Sequence, residues 1–254
     1  MSFNPFDARV FPLFIFYIIL IILTVFLTIK MFMKWKERKV SPPLYLAIGF
    51  AFFTTALIML TIGLAEGVIT GYYMYIYRFS LPFGYTMVII SDIFLFKFAS
   101  EITERGEKLI LPLIIIGAII IVLHYLPWNW WGVPSQDFEG ELDIRIFTTL
   151  TLVLYSNIIY LFIASICRKS MVSAVDKVTY YGLKLLFYSM ICLVFFFAMF
   201  IFDTVLMLFI ENLRYSIFIY IAWGSTLVFF ALAYCSLVMP EWLVKRIEKR
   251  NINE

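Results

Sequence analysis

Histidine occurs once and cysteine three times in the 254 residues. A single histidine, His124, excludes any multi-histidine metal site, and Cys167, Cys192 and Cys235 follow no zinc spacing. The cysteines are odd in number and all read as lying within the membrane or near its cytoplasmic side, which excludes an extracellular disulfide framework. Cys167, beside Arg168, is a candidate for palmitoylation, with a buried small hydrophobe as the simpler reading. No phosphate-cradling glycine loop and no nucleophile with its base is visible, and neither loops nor tail can house a soluble catalytic domain. An enzyme is therefore not expected, nor is a metal, another cofactor or a nucleic acid partner.

Charge is scarce as well. Only 15% of residues are charged, against 63% hydrophobic and 20% aromatic, a balance far outside that of a soluble domain of this length. What is present is a series of seven apolar stretches, near 10–33, 44–69, 75–99, 109–127, 145–167, 180–210 and 215–238. Each is long enough to cross about 30 Å of hydrocarbon as a helix rising about 1.5 Å per residue. Barrel strands would alternate every second residue and are excluded. The fold class expected is all-α, a single polytopic membrane domain over 1–254. The sixth stretch is longest and should tilt or protrude.

Lysine and arginine in short loops are retained on the cytoplasmic side. One set of segments carries Lys30, Lys34, Lys36, Arg38 and Lys39, then Lys97, Arg105 and Lys108, then Arg168, Lys169 and Lys177, then Lys245, Arg246, Lys249 and Arg250. The opposite set has Arg9, Arg78, Arg145 and Arg214 alongside the acidic "SQDFEGELD". The amino terminus is expected outside and the carboxy terminus inside, in the cell membrane. No basic region precedes the first apolar run, so the first helix is expected to stay in the mature protein.

"DARVF" at 7–11 returns as "DIRIF" at 143–147, and at the same offset "RFS" at 78–80 meets "RYS" at 214–216 and Ser100 meets Ser236. Glu66 falls one position from Asp203. The matches cluster at corresponding helix ends, which suggests a first repeat over 7–100, a linker helix at 109–127 and a second repeat over 143–238. Interfacial arginines recurring beside aromatics at outer helix ends would give the same pattern. This three-one-three arrangement with parallel repeats resembles the superfamily of seven-helix transporters, opsins and receptors, which holds the microbial rhodopsins and the SWEET-type sugar carriers. The resemblance is architectural. A retinal protein needs a lysine midway along helix 7, and "SIFIYIAWGSTLVFFALAYCSLV" has none, so a retinal Schiff base is excluded. Carriers of the Pro-Gln-loop kind break the first helix of each repeat with proline, whereas Pro12 lies at a helix entrance and overlays Thr148.

Ionisable residues inside the membrane are the leads to function, since each costs about 2.5–3.5 kcal/mol on insertion scales. Asp92 sits slightly to the cytoplasmic side of centre in helix 3, with Lys97 and Lys184 entering from that side. Asp92 and Lys184 are the candidate switch, an ionic latch that breaks as helices 3 and 6 part. The alternatives are a neutral Asp92 hydrogen-bonded to a neighbour, or lysines that merely snorkel. Toward the outside, Glu66, Arg78, Asp203, Glu211 and Arg214 form a second cluster. Ser189, Cys192, Met199 and Asp203 share a face of helix 6, Ser80, Gly84, Met87 and Ser91 one of helix 3 beside Tyr85, and Thr148, Thr151 and Tyr155 a stripe of helix 5 beside Asn157 and Tyr160. Turned inward these faces would line an outward-opening cavity for a cationic or hydroxyl-rich ligand, with Glu66, Arg78, Tyr85, Tyr155, Asn157 and Asp203 as its binding residues. The bland reading is close helix packing, with Arg78 clipped to Glu66.

Trp128, Trp130 and Trp131 read as an interfacial belt, and His124 as a cap on the outer end of helix 4. Asp137, Glu139, Glu141 and Asp143 alternate along a solvated face or a weak cation-collecting lip. "KWKERK" and "VKRIEKR" favour anionic headgroups or serve only as topology signals. The function expected is a receptor-like or sensory protein that binds a small ligand from outside and signals to a cytoplasmic protein partner. A small-solute carrier is the alternative, and an assembly subunit without ligand a third reading.

Overall fold

A computed structural model describes residues 3–103, 106–126, 145–174, 176–209 and 216–252. Seven of its helices are long and apolar enough to span a membrane: α1 (Phe11–Arg38), α2 (Ser41–Thr70), α3 (Tyr75–Thr103), α4 (Glu107–His124), α5 (Arg145–Val172), α6 (Lys177–Phe209) and α7 (Ile217–Leu237). An eighth, α8 (Glu241–Ile252), follows α7. Trp128, Trp130, Trp131, the four carboxylates from Asp137 to Asp143, Glu211 and Arg214 lie outside the described residues, as does the side chain of Arg145.

The helices outrun the apolar stretches at the basic ends, because a helix stops at backbone signals and not at the first charge. Lys39, left-handed at φ 55°, ends α1, and Pro42 and Pro43 suit the first turn of α2, where missing amides cost nothing. Gly71 at φ 75° ends α2. Met239 at φ 51° followed by Pro240 ends α7 and starts α8. At 33 residues, α6 is about 50 Å long, well over the hydrocarbon thickness.

Packing closes a ring. α1 lies against α2 and α7, α2 against α3, α3 against α5, α5 against α6, and α6 against α7. The seams within α1–α2–α3 and within α5–α6–α7 are extensive, and the two joining these halves are smaller. α4 sits outside the ring against α3 and α5, leaving Leu111, Ile115, Ile119 and Val122 exposed. On α1 the buried stripe Leu13, Tyr17, Leu20, Thr24, Leu27 and Met31 follows the three-four rhythm, while Ile15, Ile22 and Ile29 face outward.

At the N-terminal face, β1 (Asn4–Pro5) pairs antiparallel with β2 (Tyr72–Tyr73) in the α2–α3 turn, and the Phe6 amide donates to the Gly71 carbonyl at 2.8 Å. α2 and α3 meet closely here. A Cβ at Gly63 would stand 2.8 Å from Ser80 Cβ and 3.1 Å from Tyr77 Cα, so only glycine permits this approach. The opposite, C-terminal face carries the α1–α2 and α5–α6 turns and α8.

Candidate functional site

Asp92, near the middle of α3, is 1% exposed. One carboxylate oxygen accepts from the Ser156 hydroxyl and the other from the Tyr160 hydroxyl, both at 2.6 Å. Residues 156 and 160 lie one turn apart on α5, so one helix face presents both donors to the carboxylate. Lys184 is not the partner expected. Its ammonium sits over the Tyr181 ring at 6.0 Å and that of Lys97 over Tyr45 at 4.9 Å, and among the described residues neither forms an ion pair with Asp92. The physical reason lies in the ring order: α5 stands between α3 and α6, and it carries hydroxyls at the level of Asp92.

The carboxylates expected at a pocket mouth are engaged in capping. Glu66, late in α2, accepts from the amides of Ile76 and Tyr77 at 3.1 and 2.9 Å, in the first turn of α3. Asp203, late in α6 and 4% exposed, accepts from the Ser216 amide at 3.2 Å and hydroxyl at 2.5 Å, while the Ser216 hydroxyl in turn accepts from Phe218. Ser216 is the N-cap of α7. Each carboxylate thus satisfies orphan donors at the start of the following helix, where negative charge also suits the helix dipole. Arg78 does not clip Glu66. It is 4% exposed, lies over the Phe3 ring at 4.8 Å, and leaves Nε and Nη2 without a hydrogen-bond partner.

Inside the ring lies a cavity of about 60 Å³ between α2, α3, α5, α6 and α7. Its walls are aromatic. Phe196 meets Trp223 edge-on at 5.1 Å, Tyr160 stacks on Phe197 at 5.9 Å, and Tyr17 from α1 backs Trp223 at 4.5 Å. No charged side chain lines it. Two polar side chains that do, Thr149 and Trp223, are each 6% exposed, and Thr149 Oγ1 and Trp223 Nε1 have no hydrogen-bond partner. Trp223 Nε1 can only donate, so this N–H and the Thr149 hydroxyl are buried on lining residues with no acceptor supplied by the protein. The floor is Tyr160, whose hydroxyl is already committed to Asp92.

Of the six binding residues expected, only Tyr85 lines this cavity. Tyr155 turns to α4 and donates to the Leu113 carbonyl at 3.2 Å, and Asn157 is half-buried with its Oδ1 unpartnered. On α6 the lining face is Leu193, Phe196, Phe197 and Phe200, not the stripe of Ser189, Cys192 and Met199. The Ser189 hydroxyl bonds its own helix at Leu186. In lipid an apolar face gains nothing by turning inward, so polarity alone does not identify the inner face. Trp223, Thr149 and Ser156 were missed. The signals available were an indole mid-helix, away from the interfacial belt where tryptophan is favoured, and the i, i+4 pairing of Ser156 with Tyr160.

His124 ends α4 as expected. Its Nδ1 meets the Ile120 carbonyl at 2.8 Å and must donate to it, which leaves Nε2 a buried, unpartnered acceptor beside the Tyr85 ring. Among the described residues no three of the metal-ligating types come together. A second, larger cavity of about 480 Å³ opens at the C-terminal face, where α1, α2, α3, α6 and α7 surround it. Comparison of the chain with protein-family models, with curated proteins and with solved structures finds no match.

Proposed function

We propose that this chain is a non-enzymatic, receptor-like or sensory membrane protein, and that its ligand is small, neutral, mainly apolar and carries one hydrogen-bond acceptor such as a carbonyl. The observation that carries the reading is that Thr149 and Trp223, two residues lining an aromatic cavity without charge, hold buried donors with no partner in the protein. A cationic or hydroxyl-rich ligand, expected from the carboxylates, fits poorly because Glu66 and Asp203 are engaged in capping. Size connects the site to signalling. A void of about 60 Å³ holds only a few heavy atoms, so a larger ligand enters by separating the helices around it, and its binding energy shifts the population toward the opened ring. The charge asymmetry supports a cytoplasmic C-terminal face, where a protein partner would read that movement.

The test uses cyclohexanone and cyclohexane on protein in nanodiscs, with the Trp223 indole N–H resonance assigned through Trp223→Phe. The ketone should move that resonance and the hydrocarbon should not, and Thr149→Val should weaken ketone binding by up to about tenfold, the worth of one hydrogen bond. A resonance unmoved by acetone, cyclohexanone and acetophenone alike sinks the reading.

A carrier is the second reading. It is favoured by the larger cavity opening at the C-terminal face of the same ring, since two cavities inside one ring suit alternating access. A three-plus-one-plus-three repeat, itself part of the proposal, would support it too. The helices pair first to second and second to third in both halves, α4 lies outside, and Glu66 and Asp203 serve the same capping role at repeat-related helix ends. Saturable counterflow of a bound ketone in vesicles would reverse the ranking.

A further inference from the structure

The cavity at the C-terminal face differs from the central one in size, in how open it is and in charge. Its floor is apolar and closed: Met31, Leu46, Phe98 and Leu186 are each less than a tenth exposed. Its rim is open, with Arg38, Val40 and Ile102 exposed. Its volume of about 480 Å³ falls within the about 300–1,000 Å³ of small-molecule sites.

Both ionisable residues that line it are cations. Lys34 and Arg38 stand one turn apart on α1, a spacing at which like charges repel. The Lys34 ammonium is drawn to the end of α7, donating to the carbonyls of Leu237 at 2.5 Å and Val238 at 3.4 Å. Arg38 forms no ion pair among the described residues. The carboxylates nearby do not line the cavity. Glu101 is engaged by the Ser41 hydroxyl, Glu37 is exposed, and Asp176 caps the first turn of α6. Bonds from the Thr179 hydroxyl and amide and the Val178 amide hold the Asp176 carboxyl below its ordinary pKa.

A closed apolar floor beneath an unpaired guanidinium matches a molecule with an anionic head on an apolar chain. We infer that this cavity binds an amphiphilic anion, with its carboxylate or phosphate head at Arg38 and its chain against Met31, Leu46, Phe98 and Leu186. The head also relieves the repulsion between Arg38 and Lys34. The inference is independent of what fills the central cavity, since the two sites share no lining residue.

The test is photo-crosslinking of the full chain in phosphatidylcholine nanodiscs with a diazirine-bearing laurate, mapped by mass spectrometry. Labels should fall on Met31, Leu46, Phe98 and Leu183, and unlabelled laurate should displace the probe. Octanoate should compete more weakly, by about fourfold per methylene removed. Dodecanol, a chain without charge, and inorganic phosphate, a head without a chain, should each compete at least about tenfold more weakly than laurate. Arg38→Gln, at an exposed position, should cut labelling by about tenfold, and Leu183→Trp, which fills the cavity without touching its charge, should cut it too. Lys249→Gln on α8, outside the cavity, should not. Phosphatidylglycerol included in the disc should suppress labelling if the bilayer supplies the anion and leave it unchanged if a free amphiphile does. Labels spread equally over outward-facing positions such as Ile22 and Ile115 and unaffected by Arg38→Gln would overturn the inference, as would dodecanol competing as well as laurate.

Discussion

Two buried hydroxyls on α5, Thr149 and Ser156, lie two turns apart and live under opposite conditions. Ser156 is fully buried in the α3–α5 seam and donates to Asp92 at 2.6 Å. Thr149 is 6% exposed on the wall of the central cavity and has no partner at all. A helical threonine usually returns its hydroxyl to the carbonyl four residues back, as Thr54 and Thr61 do here. The seam is a finished network, in which every hydroxyl facing Asp92 has its acceptor, and such networks hold a fold in one arrangement. The cavity wall is unfinished, and an unsatisfied buried donor in a native protein calls for an explanation. The difference separates polarity that the protein satisfies by itself from buried polarity for which it supplies no partner.

The largest effect expected tests the seam. Asp92→Leu orphans two hydroxyls in a low-dielectric setting and should cost about 2–3 kcal/mol in a detergent unfolding assay. In a double-mutant cycle with Tyr160→Phe the two changes should couple by about 1–2 kcal/mol, because they remove ends of one hydrogen bond. The cycle of Asp92→Leu with Lys184→Met should be additive, since Lys184 does not meet the carboxylate. Coupling to Lys184 and not to Tyr160 would restore the ionic latch and break the comparison at its first step.

Next in size are the caps. Glu66→Ala should cost about 1 kcal/mol, within the about 0.5–2 kcal/mol of lost N-caps, and hasten amide exchange at Ile76 and Tyr77. Asp203→Ala should do the same at Ser216. The two sites share no partner, so the losses should add. If either change left stability alone while altering ligand binding, that carboxylate would be part of a site after all.

How much of this was legible follows from what hydropathy reports. The seven spans were legible because lipid demands about 20 apolar residues wherever a helix crosses it. The helix ends were not, since α1 continues through Lys34, Lys36 and Arg38 to a left-handed cap at Lys39. The sequence of α8 reads only as a basic tail, although Ile247 is buried and the helix packs on α6. Asp92 stood out as costly, yet its partners did not, because serine and tyrosine carry no charge to match. Glu66 and Asp203 stand out in the sequence for the same reason and suggest a pocket, whereas each accepts from free donors at the start of the following helix. The central cavity was least legible of all, since its walls are phenylalanine and leucine, the residues that also face lipid.

The smallest effect expected is the sharpest test of the opening contrast. Thr149→Val keeps the branched shape and removes only the hydroxyl. In a well-partnered site that deletion leaves an orphan behind, but at Thr149 there is no bond to lose and one buried, unsatisfied group fewer. The variant should therefore unfold within about 0.5 kcal/mol of the parent, on the stabilised side if anything. Ser156→Ala, the same deletion seven residues along, strips one donor from Asp92 and should cost about 1–2 kcal/mol. Measured side by side by thermal unfolding in one detergent, the pair controls for helix, for burial and for the loss of a hydroxyl. Equal losses would mean that Thr149 has a partner of its own, such as an ordered water bridging to Trp223. The wall would then be as complete as the seam, and no ligand would be needed to explain it.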